Sequence, residues 1–282
     1  MRFFAAAKIN LMLHVMTRKA DGYHTLQSAM ALTDMGDVLH VDPAPAYTLS
    51  ITGPFAHHAP DTPDNLITKA IHRLEQTTGK QANISIRLQK NLPAGAGLGG
   101  GSADAAAAMH AQNAIWGQPL TLEELCSVGL SIGAEMPFML QGKPARVEGI
   151  GEILSPIDLP ALPAVTIWPG VSLATKDVFK NNTAYSDPIN LPENIDFEWI
   201  KTQHNDLQNA AISLCPEINT ALQALSHQTG CILTRMTGSG ASVFGIFETM
   251  DHAMQAAHAI AAQNKKDASP WWVRACMINP QK

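Results

Sequence analysis

The run PAGAGLGGGSADAA, residues 93–106, places five glycines in seven positions directly ahead of an alanine-rich segment. Glycine has no Cβ, so the backbone at Gly95, Gly97, Gly99, Gly100 and Gly101 can take up positive φ and approach a ligand closely. The helix expected next, about Ser102 to Trp116, brings unpaired N–H groups and the positive end of its dipole to the same point. A turn needs one or two glycines. Five of them before a helix describe a phosphate-binding loop.

Two familiar glycine patterns compete for this loop. Gly95-Ala96-Gly97-Leu98-Gly99-Gly100 satisfies the dinucleotide pattern G-x-G-x-x-G, with Glu123 about where the ribose-binding acid belongs. The segment before it, Ile84 to Gln89, alternates apolar and polar residues, which describes a strand with one wet face. The first strand of a dinucleotide fold is buried on both faces and reads as a continuous apolar run. The Walker pattern fails as well, because Gly79-Lys80 is followed by Gln81 and Gly142-Lys143 by Pro144. What remains is a third type of phosphate loop.

Composition sets the outer limits. The 282 residues are 46% hydrophobic and 15% charged, a globular chain long enough for two domains. A formal charge of −5, without a run of like charges, gives no footprint for nucleic acid or an anionic membrane, so an acidic ligand must be met locally. The four cysteines, Cys126, Cys215, Cys231 and Cys276, form no C-x-x-C pair and read as buried free thiols in a reducing compartment. No span of some eighteen apolar residues predicts a membrane crossing. Lys8 and Asn10 interrupt the apolar opening before a signal sequence forms, so the expected location is the cytoplasm.

Along the chain, Phe3 to Val15 and Ala29 to Val41 read as strands, with a turn at Asp21-Gly22. Leu66, Ile67, Ala70, Ile71 and Leu74 have the spacing of a helix with one buried face, stopped by Gly79. Thr121 to Glu124 is a capping box opening another helix, which ends near Gly133; Pro137 biases Met136 toward extended geometry and leaves Glu135 on a bend. Three prolines in residues 156–163 mark a boundary between domains 1–155 and 156–282. Beyond it come a strand at Val165 to Trp168 and helices from Leu207 to Leu225 interrupted near Pro216. Strands Ile232 to Met236 and Val243 to Phe247 are joined by Thr237-Gly238-Ser239-Gly240, and a helix covers Met254 to Ala262. Strands and helices mix in both halves, an α/β (α+β) pattern.

Five stretches carry a family resemblance: AAKINLMLHV at 6–15, DGYHTLQS at 21–28, the glycine loop, GAEMPF at 133–138 and RMTGSGASVF at 235–244. Together they resemble the GHMP kinases nearly end to end. Lys-Ile-Asn followed by Asp-Gly-Tyr-His is similar to the branch that phosphorylates the 2-hydroxyl of 4-(cytidine 5'-diphospho)-2-C-methyl-D-erythritol in non-mevalonate isoprenoid biosynthesis. The resemblance implies a two-domain kinase with its active site in the interdomain cleft, acting as a monomer or weak homodimer, with ATP and Mg2+ as cofactors.

The resemblance also assigns residues. ATP phosphates would rest on Pro93, Ala94, Gly95, Ala96, Gly97, Leu98, Gly99, Gly100, Gly101, Ser102 and Ala103, and the Ser102 hydroxyl would contact magnesium. Lys8 matches the catalytic lysine. Asn10, two residues on and at the same face of a strand, would bind substrate, its amide holding substrate or phosphate oxygens. Tyr23 and His24 match the cytosine-reading pair, Phe179 a second aromatic across the base, and Thr175 its polar neighbour. Gly238, Ser239 and Gly240 would close the cleft. Asn205-Asp206-Leu207 matches a further motif with the look of a helix cap. The remaining histidines, His57 and His58 among them, lack metal-ligand spacing and read as surface residues.

One position departs from the pattern. The family's aspartate, the base in Gly-Ala-Asp-x-Pro-Phe, is Glu135 here, one methylene longer. Two other readings therefore share these residues: a GHMP kinase for another small alcohol, and a nucleotide-binding homologue whose catalysis is impaired at Glu135.

Overall fold

The computed structural model describes residues 1–18, 24–59, 63–192, 195–264 and 271–281. The expected turn at Asp21-Gly22 and the candidate Tyr23 lie outside them. The chain divides into two compact units, residues 1–7, 35–94 and 99–142 in the first, and 8–34, 95–98 and 143–282 in the second. This partition is more interleaved than a single break at 155/156. Two long strands, β1 (Arg2–Arg18) and β2 (His24–Pro43), each contribute residues to both units.

In the first unit, β3 (Thr48–Thr52) runs parallel to β4 (Ile84–Gln89). β4 in turn pairs antiparallel with the end of β2, from Val38↔Gln89 to Pro43↔Ile84. Ile84, Ile86 and Leu88 are buried while Arg87 and Gln89 are exposed, the one wet face expected from the alternation. Helix α1 (Leu66–Thr78) starts where the Asn65 side chain accepts the Ile67 N–H at 2.9 Å. It stops at Gly79, whose φ of 69° is the left-handed conformation that favours glycine. Its stripe of Ile67, Ala70, Ile71 and Leu74 is buried.

Helix α2 (Gly100–Ile115) is apolar almost all round, with Ala103 and the residues from Ala105 to Met109 buried, as befits a helix inside its unit rather than on it. The capping box is present at α3 (Leu122–Leu130), with Thr121 and Glu124 bonded reciprocally. Met136, expected to be extended, instead opens α4 (Met136–Gln141). Pro137 falls in the first turn of that helix, where its missing N–H would have had no partner, so the helix tolerates it.

In the second unit the start of β2 pairs with β5 (Ala145–Gly149), and β5 with β6 (Ile153–Pro156). β7 (Leu162–Trp168) is followed by α5 (Thr175–Asn181), α6 (Phe197–Lys201), α7 (Gln208–Leu214) and α8 (Glu217–Ser226), the last two separated at Pro216 as expected. β8 (Cys231–Met236), β9 (Val243–Phe247), α9 (Met250–Asn264) and β10 (Trp272–Ile278) complete the chain. The order β10-β7-β9-β8 is antiparallel throughout, and the central β9 is buried along its whole length.

All four cysteines are free. Cys215 and Cys276 are buried as expected, but Cys126 and Cys231 are only partly so, each on an element with one side toward water. Among the described residues no helix is long and apolar enough to cross a membrane.

Candidate active site

The glycine run adopts positive φ at Gly95 (68°), Gly97 (80°) and Gly99 (67°), while Ala96 and Leu98 between them do not. Alternation of this kind is the backbone pattern of an anion nest. Gly100 and Gly101, expected to share the positive φ, are instead the first residues of α2. Their missing Cβ serves packing: a Cβ on Gly100 would lie 3.0 Å from Lys90 Nζ, and one on Gly101 3.2 Å from Leu66 Cδ1. Among the described residues, none of the N–H groups of residues 95–102 donates to a protein acceptor, nor does the Ser102 hydroxyl. The result is a row of free donors that includes the first turn of α2.

Residues 95–98 are held within the second unit by backbone bonds. Lys8 donates its N–H to the Leu98 carbonyl at 3.0 Å, and Ser242 donates to the Ala96 carbonyl at 3.1 Å. Gly97 lies so close to the Gly-Ser-Gly turn that an added Cβ would be 2.8 Å from the carbonyl oxygens of both Thr237 and Gly240. Gly238 faces the other way: a Cβ there would sit 3.0 Å from Lys8 Nζ, 3.3 Å from the Gly97 oxygen and 3.4 Å from Asn10 Oδ1. Lys8, Asn10, Gly97 and Gly238, 230 positions apart at the extremes, therefore meet at one point.

Lys8 is 3% exposed, and its ammonium donates to Asn10 Oδ1 at 2.6 Å. Asn10 is fixed in turn: its Nδ2 donates to Ser28 Oγ at 3.0 Å and its N–H to Thr237 Oγ1 at 2.9 Å. The lysine head is thus aimed by a chain of hydrogen bonds rather than left to snorkel. Ser239 joins the cluster through its hydroxyl, 3.0 Å from that of Thr175 at the start of α5.

His24, Phe179 and Tyr185 form an aromatic group in the same unit. The His24 ring lies 5.3 Å from Phe179 at 40° and 5.4 Å from Tyr185, nearly parallel at 5°. His24 Nδ1 is 2.9 Å from the Met16 carbonyl, which can only accept, so Nδ1 carries the proton. That bond leaves Nε2 as the ring's other hydrogen-bonding atom. Tyr185 escaped sequence reading, although an aromatic in the polar stretch 181–188 is a signal of its own.

The segment 203–206 braces this arrangement. Asn205 Nδ2 donates to the carbonyls of Met236 at 2.8 Å and Gly238 at 2.9 Å. Asp206 Oδ2 accepts from the Val15 N–H and the Ser186 hydroxyl, next to Tyr185. Arg235 is buried and donates to the carbonyls of Leu11, Ile200, Lys201 and Gln203; burial pulls its guanidinium down to about 10. Asn205 and Asp206 therefore do more than cap a helix.

His14 belongs to the same network, bonded to Ser186 and Gln203, and at 2% exposure it is not the surface histidine expected. With His204 and Asp206 it makes a group whose ligand-type atoms lie within 4.8 Å, each already hydrogen-bonded inside the protein. Burial, aided by His204, holds His14 below its ordinary 6.5. The unfolded chain therefore takes the proton first, and stability falls as pH drops below about 6.5, by at most about 1.4 kcal/mol per pH unit. Thermal unfolding between pH 7.5 and 5.5 should show a steeper loss for the wild-type chain than for His14→Gln.

In the first unit, Glu135 is half-buried with φ −81° and ψ −11°, immediately before α4. The same unit holds a buried charged cluster absent from the sequence reading: Lys90 donates to Asp37 and, at 2.8 Å, to Asp104. Burial lowers Lys90, but the carboxylates of Asp104 and Asp37 outweigh it and raise its pKa. Asp104 is pushed well above the usual carboxylate range by burial, which Lys90 offsets only in part.

Residues 65–142 match the GHMP kinases N terminal domain and residues 192–266 the GHMP kinases C terminal. A 4-diphosphocytidyl-2-C-methyl-D-erythritol kinase of Cereibacter sphaeroides is 42% identical over 280 residues, 96% of each chain. The chain belongs to the GHMP kinase family. Among solved structures, a 4-(cytidine 5'-diphospho)-2C-methyl-D-erythritol kinase superposes on this GHMP kinase with a TM-score of 0.83 at 32% identity, over 99% of this chain and 100% of that one. A homoserine kinase of Cytophaga hutchinsonii shares the fold, with a TM-score of 0.71 at 19% identity, over 99% of this chain and 95% of that one.

Proposed function

We propose that this GHMP kinase transfers the γ-phosphoryl group of ATP to the 2-hydroxyl of 4-(cytidine 5'-diphospho)-2-C-methyl-D-erythritol, a step of non-mevalonate isoprenoid precursor biosynthesis. The observation that carries the reading is Lys8, its buried ammonium held by Asn10 against Gly238 and beside the nest at Gly97. The likeness to the Cereibacter kinase supports the choice of acceptor over other small alcohols.

Pro93 to Ala103 cradle the triphosphate through the free N–H groups of residues 95–102 and the positive end of α2. Lys8 neutralises charge on the transferring group and on the attacking oxygen. Glu135 accepts the hydroxyl proton as the oxygen–phosphorus bond forms and the bond from Pγ to the ADP oxygen breaks. The donor set fits magnesium carried by the nucleotide: Ser102 offers one hard, uncharged oxygen, and phosphates and waters would fill the other positions. When bound, the ion neutralises phosphate charge.

Cytosine is read by Tyr23 and His24, with Phe179 as the aromatic across the base and Thr175 as its polar neighbour; the packing of His24 against Phe179 supports that grouping. Nε2 of His24 is the ring atom left to hydrogen-bond the edge of that base. Phe179→Ala should weaken the cytidylyl substrate by about 1–3 kcal/mol, the range for loss of a stacking aromatic, and leave ATP affinity unchanged. Calorimetric titration with each ligand separates the two effects.

The break at 155/156 belongs to the same reading, since it falls between the stretches matched by the two family domains. So do a cytoplasmic location, for which the four free thiols are the supporting observation, and a monomer or weak homodimer, which rests on the family resemblance alone. The deciding assay is coupled ADP release across the cytidylyl substrate, homoserine, mevalonate and galactose. Turnover of the cytidylyl compound alone is expected; preference for any other alcohol overturns the assignment.

A further inference from the structure

Three charged side chains are buried together in the first unit: Asp37 at 0% exposure, and Lys90 and Asp104 at 3% each. Asp37 Oδ1 accepts the backbone N–H groups of Asn91 at 2.5 Å and Leu92 at 2.8 Å, the two residues that lead into Pro93. Its Oδ2 accepts from Lys90, whose ammonium also donates to Asp104 Oδ2 at 2.8 Å. Asp104 stands on α2, just past the glycines, and its Oδ1 is buried with no hydrogen-bond partner among the described residues. The lysine head lies against Gly100, 3.0 Å from where a Cβ would stand. One relay of hydrogen bonds thus joins the backbone before the glycine run to the helix after it.

Stability alone does not account for the cluster. Buried ions pay for their desolvation poorly, and apolar residues of similar volume commonly hold a fold as well or better. The ammonium is already committed to Asp37 and Asp104, so the cluster does not itself attract a polyphosphate. What ions supply, and apolar contacts do not, is direction: a fixed spacing and angle between Leu92 and α2.

We propose that Asp37, Lys90 and Asp104 are positioning residues for ATP, a clamp on both ends of the glycine run that keeps its donors preorganised for the triphosphate. The inference rests on the kinase reading above. Preorganised donors bind without the ordering cost that a slack loop meets at each binding event.

Asp104→Ala tests it, because the remaining Lys90–Asp37 pair is neutral and only the tie to α2 is cut. Calorimetric titration with ATP and steady-state KM values for both substrates should show ATP weakened about tenfold or more, with the KM for the cytidylyl acceptor within about twofold of wild type. Asp104→Asn, which keeps an oxygen for Lys90 to reach, should restore ATP affinity to within about threefold. Asp37→Asn leaves Lys90 and Asp104 as the neutral pair and carries the same expectation as Asp104→Ala, should that variant not fold. A folded variant that binds ATP like wild type, an equal loss for both substrates, or an asparagine no better than alanine at position 104 overturns the clamp. A wild-type chain that binds no ATP overturns the kinase reading itself, and the clamp with it.

Discussion

Gly97→Val is expected to abolish measurable ATP binding, a loss of about a hundredfold or more in affinity. Two effects combine at this residue. Its φ of 80° is strained for any side chain, and its Cβ position is 2.8 Å from the carbonyl oxygens of Thr237 and Gly240. Both contacts are backbone atoms, which cannot swing aside as the end of a side chain can. Either the run 95–98 or the Gly-Ser-Gly turn must move, and Gly238 of that turn packs on Lys8. Gly79→Ala provides the control: φ there is 69°, but nothing lies within 4 Å of the Cβ position. That variant should lose about 1 kcal/mol of stability from backbone strain and keep its ATP affinity. Calorimetry with ATP and thermal unfolding of both variants separate strain from cradle. Unchanged ATP binding in the valine variant would reduce the glycine run to a turn.

Local patterns were legible in the sequence wherever a short stretch determines its own conformation. Asn65 and Gly79 bracket α1, Thr121 and Glu124 box α3, and Pro216 separates α7 from α8 as their residue types dictate. Pro137 misled for an instructive reason. The bias of a residue before proline toward extended geometry is real, but a proline in the first helical turn loses no hydrogen bond, and the helix prevailed at Met136. β10 was missed altogether. Its pairing with β7, from Trp272↔Trp168 to Ile278↔Leu162, joins residues more than a hundred positions apart, so nothing near Trp272 announces it.

The candidate site divides in the same way. Lys8, the glycine run and the Gly-Ser-Gly turn could be named from motifs, yet their meeting depends on absent Cβ atoms at Gly97 and Gly238 that only tertiary structure reveals. Asp37, Lys90 and Asp104 carry no pattern, because a lone lysine or aspartate in sequence reads as a solvated surface group. Burial, a property of the folded chain, is what makes them conspicuous.

Glu135 separates an active enzyme from a binding relic, and its replacement by glutamine is the most severe expected change in rate. The glutamate side chain makes no capping hydrogen bond at the start of α4, so Glu135→Gln removes a proton acceptor without removing a cap. If Glu135 is the base, kcat falls by about a hundredfold or more while ATP affinity holds, within the range for general-base loss. Pro137 in the first turn of α4 stiffens the backbone beside it, which limits how far the main chain can shift to suit another side-chain length. Glu135→Asp should therefore stay active, and its rate reports which length the site is built for: a gain marks a site shaped for aspartate, a loss one re-formed around glutamate. Positioning errors near 1 Å can change such rates about a hundredfold, so the difference is measurable in single-turnover assays. A wild-type protein that binds both ligands without transferring phosphate, together with an aspartate variant that restores transfer, would identify the chain as an impaired homologue. Rapid turnover by wild type with near-silence in the glutamine variant assigns the proton to Glu135.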